Sequence, residues 1–498
     1  TEPTIKLDNS KLNIIDESES EQGKIVSENA SGIYIKTNSE FTLGLEEKPV
    51  KPTPEIIAKT KGVEKEIVDN KQGIFNFFDG KITAANAIDG IVDLTPILYS
   101  ATVTTNEQGQ QLSVLQIVSN VEARIGRKTY LKLEDAIADV GKEYGTDGSQ
   151  VEVTVVKDLT KEKEVVIDSS KNVLLDLNGC VVTTTGSNYV FNNNGKLEII
   201  DRTSQDIMKI DSLTPNGTYY FEKNEDGSFT SNNKGASGVA NSYATIDLTE
   251  HEGTYILSLQ AEICGYSNYG YATITQTTNA PAYNATSGRL VYMTNIVGRE
   301  YFEKELQGGS VYYLHLGYKK DDDSKLFDDE FKVNDIKVIK KTTGKVSPGT
   351  AGSIKNSSTG EFVLTSGNLT PSSLGAVENY GTCRINGGRI VGNNYGVMNN
   401  DSGNLIVNGG LIKTSRGNAI SACGKNTTIE GGIIQSDNTT ISISNNGSAE
   451  NLVINNGTIS STNGTCINNY STNPVIINNG YIGGSDTCIY SVSRKFGN

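Results

Sequence analysis

Tryptophan is absent from the 498 residues, and histidine occurs only at His251 and His315. Residues 344–498 contain no histidine, which removes a histidine-based triad or a His-rich metal site from that stretch. The six cysteines (Cys180, Cys264, Cys383, Cys423, Cys466, Cys488) form no Cys-x-x-Cys pair, so a zinc knuckle lacks its ligands. No apolar run approaches the ~20 residues of a membrane-spanning helix. Positive charge is in deficit: 44 Lys and Arg stand against 58 Asp and Glu, a net charge of −14. That balance argues against nucleic acid and anionic membranes as partners. The opening Thr1-Glu2-Pro3 carries no leader pattern and reads as a mature terminus or a cut, the chain being a piece of something longer.

What is plentiful is glycine, at 52 residues, together with Asn, Thr and Ser after residue 350. β-Branched residues recur between the Asn-Gly clusters, which points to many short strands. Five phrases repeat: Ile385-Asn386-Gly387-Gly388-Arg389-Ile390, Val407-Asn408-Gly409-Gly410-Leu411-Ile412, Ile429-Glu430-Gly431-Gly432-Ile433-Ile434, Ile454-Asn455-Asn456-Gly457-Thr458-Ile459 and Ile477-Asn478-Asn479-Gly480-Tyr481-Ile482. Their last glycines are spaced by 22, 22, 25 and 23 residues, the length of one coil of a parallel β-helix with three strands. Glycine supplies the positive φ at the corner, and an apolar residue points inward on either side. Asn386, Asn408, Asn455 and Asn478 are expected to form an amide ladder along that corner. Gly396-Val397-Met398, Asn418-Ala419-Ile420, Thr465-Cys466-Ile467 and Thr487-Cys488-Ile489 form a second aligned series. It places Val397, Ala419, Cys466 and Cys488 in one interior column, as small buried side chains or, at about 4.8 Å per coil, a disulfide.

Each coil buries its side chains only against a neighbour, so the ends need caps. Leu133, Ala136, Ile137 and Val140 follow the i, i+3, i+4, i+7 pattern of an amphipathic helix closed by Gly141, which is read as the N-terminal cap. Leu197-Glu198-Ile199-Ile200-Asp201 echoes Leu12-Asn13-Ile14-Ile15-Asp16, and Gly73–Ile82 echoes the corner phrase. Residues 1–120 are therefore assigned to closing rungs and exit strands of a preceding β-helix unit, with tandem copies of the unit expected in a longer chain. Residues 121–212 hold the cap and first rungs, and 344–498 the remaining rungs, about eleven coils at ~22 residues each. Between 213 and 343 the Asn-Gly rhythm stops and tyrosines crowd in. Strand patterns at Tyr255–Glu262, Tyr271–Gln276, Val311–Tyr318 and Phe331–Ile339 predict an inserted antiparallel β-sandwich. The fold class is all-β: a right-handed parallel β-helix with a short capping helix and an insert.

Two resemblances follow from these residues. The runs Gly253–Leu259 and Phe331–Val338 are similar to strands of carbohydrate-binding jelly rolls. The succession Ala123-Arg124-Ile125-Gly126, Tyr130 to Ala138, Leu174-Leu175-Asp176-Leu177-Asn178-Gly179 and Gly195 to Asp201 resembles large repeat-bearing surface proteins of Gram-positive bacteria, with pectate-lyase-like β-helix units. This resemblance implies a non-enzymatic stalk or adhesin exposed on a bacterial cell, with host or cell-surface glycans or proteins as partners. It implies no cofactor.

Candidate chemistry is sparse. A β-helix lyase or glycosidase needs clustered Asp for Ca²⁺ or paired carboxylates. From 376 onward the acids fall at different phases: Glu430 lies two before Gly432, Asp401 nine before Gly410. A polysaccharide lyase or glycoside hydrolase is thus the weaker alternative. A carbohydrate-binding insert is another, with Tyr266, Tyr269 and Tyr292 as the sugar-stacking candidates. Asp321, Asp322, Asp323, Asp328 and Asp329 form the densest set of oxygen ligands. They read as a solvated loop or as the site of a structural Ca²⁺. His315 reads as a hydrogen-bonded strand histidine.

Overall fold

The computed structural model describes residues 2–16, 23–46, 50–51, 53–69, 71–204, 206–234, 236–264, 268–282, 284–294, 298–320, 330–371, 373–443, 451–484 and 487–491. The chain is all-β with a β-solenoid and divides into two compact units, Thr1–Val121 and Glu122–Asn498. Among the described residues no helix is long and apolar enough to cross a membrane.

The first unit coils through three parallel sheets. Leu12, Phe41 and Phe75 share one column, and Ile14, Leu43 and Phe77 the next. The Phe41 and Phe75 rings stack with centroids 5.4 Å apart. The hairpin Tyr99–Thr105 and Gln111–Ile117 pairs antiparallel to Lys81–Ala84 and closes this unit.

In the second unit the hairpin Ala123–Ile125 and Lys128–Tyr130 starts an eleven-stranded sheet, followed by parallel strands from Val151–Val155 to Val475–Ile477. A second sheet runs from Leu159–Lys161 to Tyr481–Gly484, and a third from Val165–Ile167 to Ile489–Ser491; each has nine strands. Nine coils, not eleven, are therefore formed among the described residues, because residues 122–150 go into the cap. The helix Leu133–Asp139 buries Leu133, Ala136 and Ile137 over the first coil. Its N-cap, Lys132, makes no side-chain bond. Instead the Leu133 N–H donates to Glu122 Oε2 at 2.9 Å, so a tertiary carboxylate satisfies a free helical donor.

Stacking is carried by columns of buried, mostly apolar side chains. Phe362, Cys383, Leu405, Thr427 and Leu452 lie in register, as do Leu369, Ile390, Ile412, Ile434 and Ile459. Each buried aliphatic contributes about 1.5–3 kcal/mol. The corner glycines Gly388, Gly410, Gly432, Gly457 and Gly480 all have positive φ, and a Cβ on Gly410 would meet the Gly387 backbone of the preceding coil at 2.7 Å. On the outside of this corner Asn408 donates to Asn386 (2.7 Å) and Asn478 to Asn455 (2.7 Å), while Asn455 donates to Glu430 (2.9 Å). The expected ladder forms in two runs, Asn386–Asn408 and Glu430–Asn455–Asn478. The cysteine series is shifted by one residue from expectation. Val397 pairs with Ile420, so Gly396 rather than Val397 leads the column of Ala419, Thr440 and Cys466. Cys466 and Cys488 are free thiols, the first buried and the second exposed.

The insert enters at one corner. After Lys196–Ile200 the chain leaves the rod where other coils place a tight turn, and it returns at Lys345–Ser347. The ladders continue across the gap: Val181 pairs with Lys345, Phe191 with Ile354 and Lys196 with Glu361. The excursion folds into two antiparallel sheets. One contains Thr254–Cys264 between Gly298–Gln307 and Glu330–Lys340; the other contains Gly238–Asp247, Val311–Lys320, Tyr269–Thr275 and Arg289–Thr294. Leu257, Leu259 and Ile263 of the first sheet and Ala244, Leu314 and Leu316 of the second share one buried core.

Candidate functional site

The insert's two outward faces differ. On the sheet that turns toward the rod, alternation sends Tyr255, Leu257 and Leu259 into the sandwich and Ile256, Ser258 and Gln260 to the other side. Strand Gly298–Gln307 then runs along one column of rod residues: Lys345, Asn368, Arg389, Leu411, Ile433, Thr458 and Tyr481. The Arg299 N–H donates to the Tyr481 hydroxyl at 2.6 Å, and its guanidinium lies 4.9 Å from that ring centre. The Thr458 hydroxyl donates to Gln260 Oε1 at 2.6 Å. Tyr301 packs with Leu411 and Ile433 in a small apolar cluster, and burial pushes its hydroxyl up to about 12. Arg389 pairs with Glu303 at 2.8 Å. Burial also raises the Glu300 carboxyl, which Lys413 opposes. Between these contacts and the neck of the insert a cleft of about 1040 Å³ remains, walled on the rod side by the stacked glycine corners.

The other sheet carries the aromatic candidates. Tyr269, Tyr271, Tyr292, Tyr243 and Tyr313 fall on one face, by register through Thr273, His315 and Tyr243. Tyr271 lies across Gly317, where a Cβ would stand 1.9 Å from the ring, and its hydroxyl donates to Asn241 Oδ1 at 2.9 Å. Tyr269 and Tyr292 are 6.1 Å apart, and Tyr292 is 38% exposed. The Arg289 guanidinium sits 4.3 Å from the Tyr292 ring centre. Tyr243 and Tyr313 meet edge to face at 5.8 Å. His315 is buried, with Nε2 2.9 Å from Thr275 Oγ1 and 2.9 Å from the Thr277 carbonyl; burial lowers its pKa.

Of the sequence candidates, Tyr269 and Tyr292 thus come together. Tyr266 and the acidic residues Asp321, Asp322, Asp323, Asp328 and Asp329 lie outside the described residues. Among the described residues no three His, Cys, Asp or Glu side chains gather as a metal site. Sequence reasoning missed Arg289, Tyr271 and Gly317, whose cross-strand placement depends on register. It also missed the whole rod-facing column, which requires the insert to fold back over later coils.

The fold thus defines a β-solenoid with a two-sheet module set into one corner. Neither the protein-family models nor the curated proteins yield a match to this chain.

Proposed function

We propose that this chain is part of a non-catalytic adhesin-like stalk on a bacterial cell surface, in which a right-handed β-helix rod holds out a jelly-roll module that engages glycans. The observation that carries this reading is the Tyr269–Tyr292 pair: the rings lie 6.1 Å apart and Tyr292 is 38% exposed, with the buried Tyr271, seated against Gly317, beside them. Sugar CH groups pack on such aromatic surfaces. The unbroken ladders across the insertion favour a rigid support for the module. The carboxylates of the cleft are committed to cations, Glu303 to Arg389, Glu305 to Lys341 and Asp335 to Lys337, which favours binding over paired-carboxylate chemistry.

The test is a glycan array probed with the full chain, wild type and with Tyr269→Ala and Tyr292→Ala together. A set of bound glycans lost in the variant, with an unchanged circular-dichroism spectrum, supports the reading. A blank array for the wild type, or release of reducing ends or unsaturated sugars from a polysaccharide panel, overturns it.

A further inference from the structure

Cys466 and Cys488 stand at the same phase of consecutive coils. Ile467 pairs with Ile489, so the cysteines that precede them are coil neighbours, and the Ile467 N–H donates to the Cys488 carbonyl at 3.0 Å. We propose that these two thiols are a redox pair, joined by exchange with a small-molecule disulfide so that strands Tyr481–Gly484 and Ile489–Ser491 are stapled to the preceding coil. The proposal does not depend on the glycan reading.

Three features carry the assignment. The first is reach. Parallel neighbours in register have Cα atoms about 4.8 Å apart, inside the ~4.4–6.8 Å that a disulfide spans. The Cys466 thiol already leans toward the next coil, donating to the Gly483 carbonyl at 2.9 Å. Gly484 leaves room for it, since a Cβ there would stand 3.1 Å from Cys466 Sγ. The second is give. A strand spacing of about 4.8 Å exceeds the ~3.8 Å between the Cβ atoms of a disulfide, so closing the bond draws the outer coil inward. Ile489 and Tyr490 of that coil are 41% and 46% exposed, and little packing opposes the shift. The pairing is particular to these two: buried Cys383 lies between Phe362 and Leu405. The third is asymmetry. Cys466 is buried and Cys488 exposed. Burial, with the Cys488 thiol beside it, pushes the Cys466 thiol up to about 12, which makes Cys488 the entry thiol. The Cys488 thiolate attacks the small disulfide, forming a mixed disulfide and releasing one thiolate. Cys466 Sγ then attacks Cys488 Sγ and gives up its proton as the second small thiol leaves. The two cysteines lose two electrons and two protons, and the small disulfide gains both to become two thiols.

The experiment incubates the full chain with oxidised glutathione, quenches it in acid, unfolds it, alkylates the remaining thiols and digests it with trypsin. Both cysteines fall in one tryptic peptide, residues 426–494, which holds no other cysteine. The expected result is that peptide unalkylated and lighter by two hydrogens, returning to two alkylated cysteines after dithiothreitol. Hydrogen exchange in Tyr481–Gly484 and Ile489–Ser491 is expected to slow about tenfold on oxidation. These arms compare one sequence in two redox states, so they stand whether or not a variant folds. Cys466→Ser is expected to hold glutathione on Cys488 as a lasting adduct and to lose the slowing. Cys488→Ser is expected to leave Cys466 unmodified. Two alkylated cysteines after oxidation, glutathione on both, a link from either to another cysteine, or unchanged exchange in the linked wild type overturns the proposal.

Discussion

The hydroxyl of Thr342 donates to the carboxylate of Asp201, 141 residues away, across the two chain segments by which the insert leaves and rejoins the rod. The same carboxylate accepts from the Gly179 N–H (3.0 Å), the Thr203 N–H (3.0 Å) and the Thr203 hydroxyl (2.6 Å). Asp201 is 1% exposed, and a Cβ on Gly344 would stand 1.8 Å from its Oδ2. The corner that tolerates an insertion is thus tied by one acidic side chain.

Asp201→Ala removes the shared acceptor of four part-buried donors, at up to about 1 kcal/mol each. Limited proteolysis should therefore cut near residues 203 and 343 in the variant and spare the wild type. Gly344→Ala should open the same sites by pushing the carboxylate aside. Equal resistance in both variants would show that the neck is held elsewhere.

A second acyclic ladder lies wholly inside the rod. Asn193 donates to Asn356, Asn356 to Asn379 and Asn379 to Asn399, each at 2.7 Å, and all four are fully buried. The Asn379 amide also donates to the Gly381 and Asn404 carbonyls. Asn379→Ala interrupts the column in its middle and strands polar atoms on both sides. A loss of about 3 kcal/mol is expected, read as a lower urea midpoint at constant slope.

That ladder shows what the sequence discloses and what it hides. The phrases Ile354-Lys355-Asn356, Val377-Glu378-Asn379 and Val397-Met398-Asn399 each place Asn two after an apolar residue, yet their spacing is irregular beside the Asn-Gly-Gly corners. Phe191-Asn192-Asn193 belongs to the same column but is 163 residues from Asn356, so the series surfaces only once the insert is set aside. Corner glycines were legible because positive φ restricts residue choice locally. The echo at Asp16 and Asp201 was legible as sequence, and both carboxylates accept backbone N–H groups, Asp16 from Gly23 and Asp201 from Gly179. The strands of the insert were legible through alternation. Which of its faces turns to the rod was not, because Ile256, Ser258 and Gln260 look like an ordinary outward pattern until the coils after 380 are stacked beneath them.

Docking of the insert can be weakened without touching its core. Tyr301 is 9% exposed and anchors the apolar cluster with Leu411 and Ile433. Tyr301→Ala removes a large aromatic contact, at a cost of about 3 kcal/mol if the space does not collapse. Hydrogen exchange should rise in Gly298–Gln307 and Arg389–Gly392 while the coils before residue 200 keep their protection. Unchanged exchange in both strands would mean that Arg299–Tyr481 and Gln260–Thr458 suffice.

His315 gives the insert a signed pH dependence. Its pKa lies below the ordinary 6.5 because burial disfavours the imidazolium. Below about pH 6.5 the unfolded chain takes up a proton that the folded one refuses, so the stabilisation present at higher pH is lost as pH falls from 6.5 toward the lowered value. His315→Gln keeps a donor for the Thr277 carbonyl and removes the titration. Between pH 7.5 and 5.5 the thermal midpoint of the wild type should drop further than that of the variant. Parallel pH profiles would assign the acid sensitivity to carboxylates instead, and His251→Gln serves as the control for the other histidine.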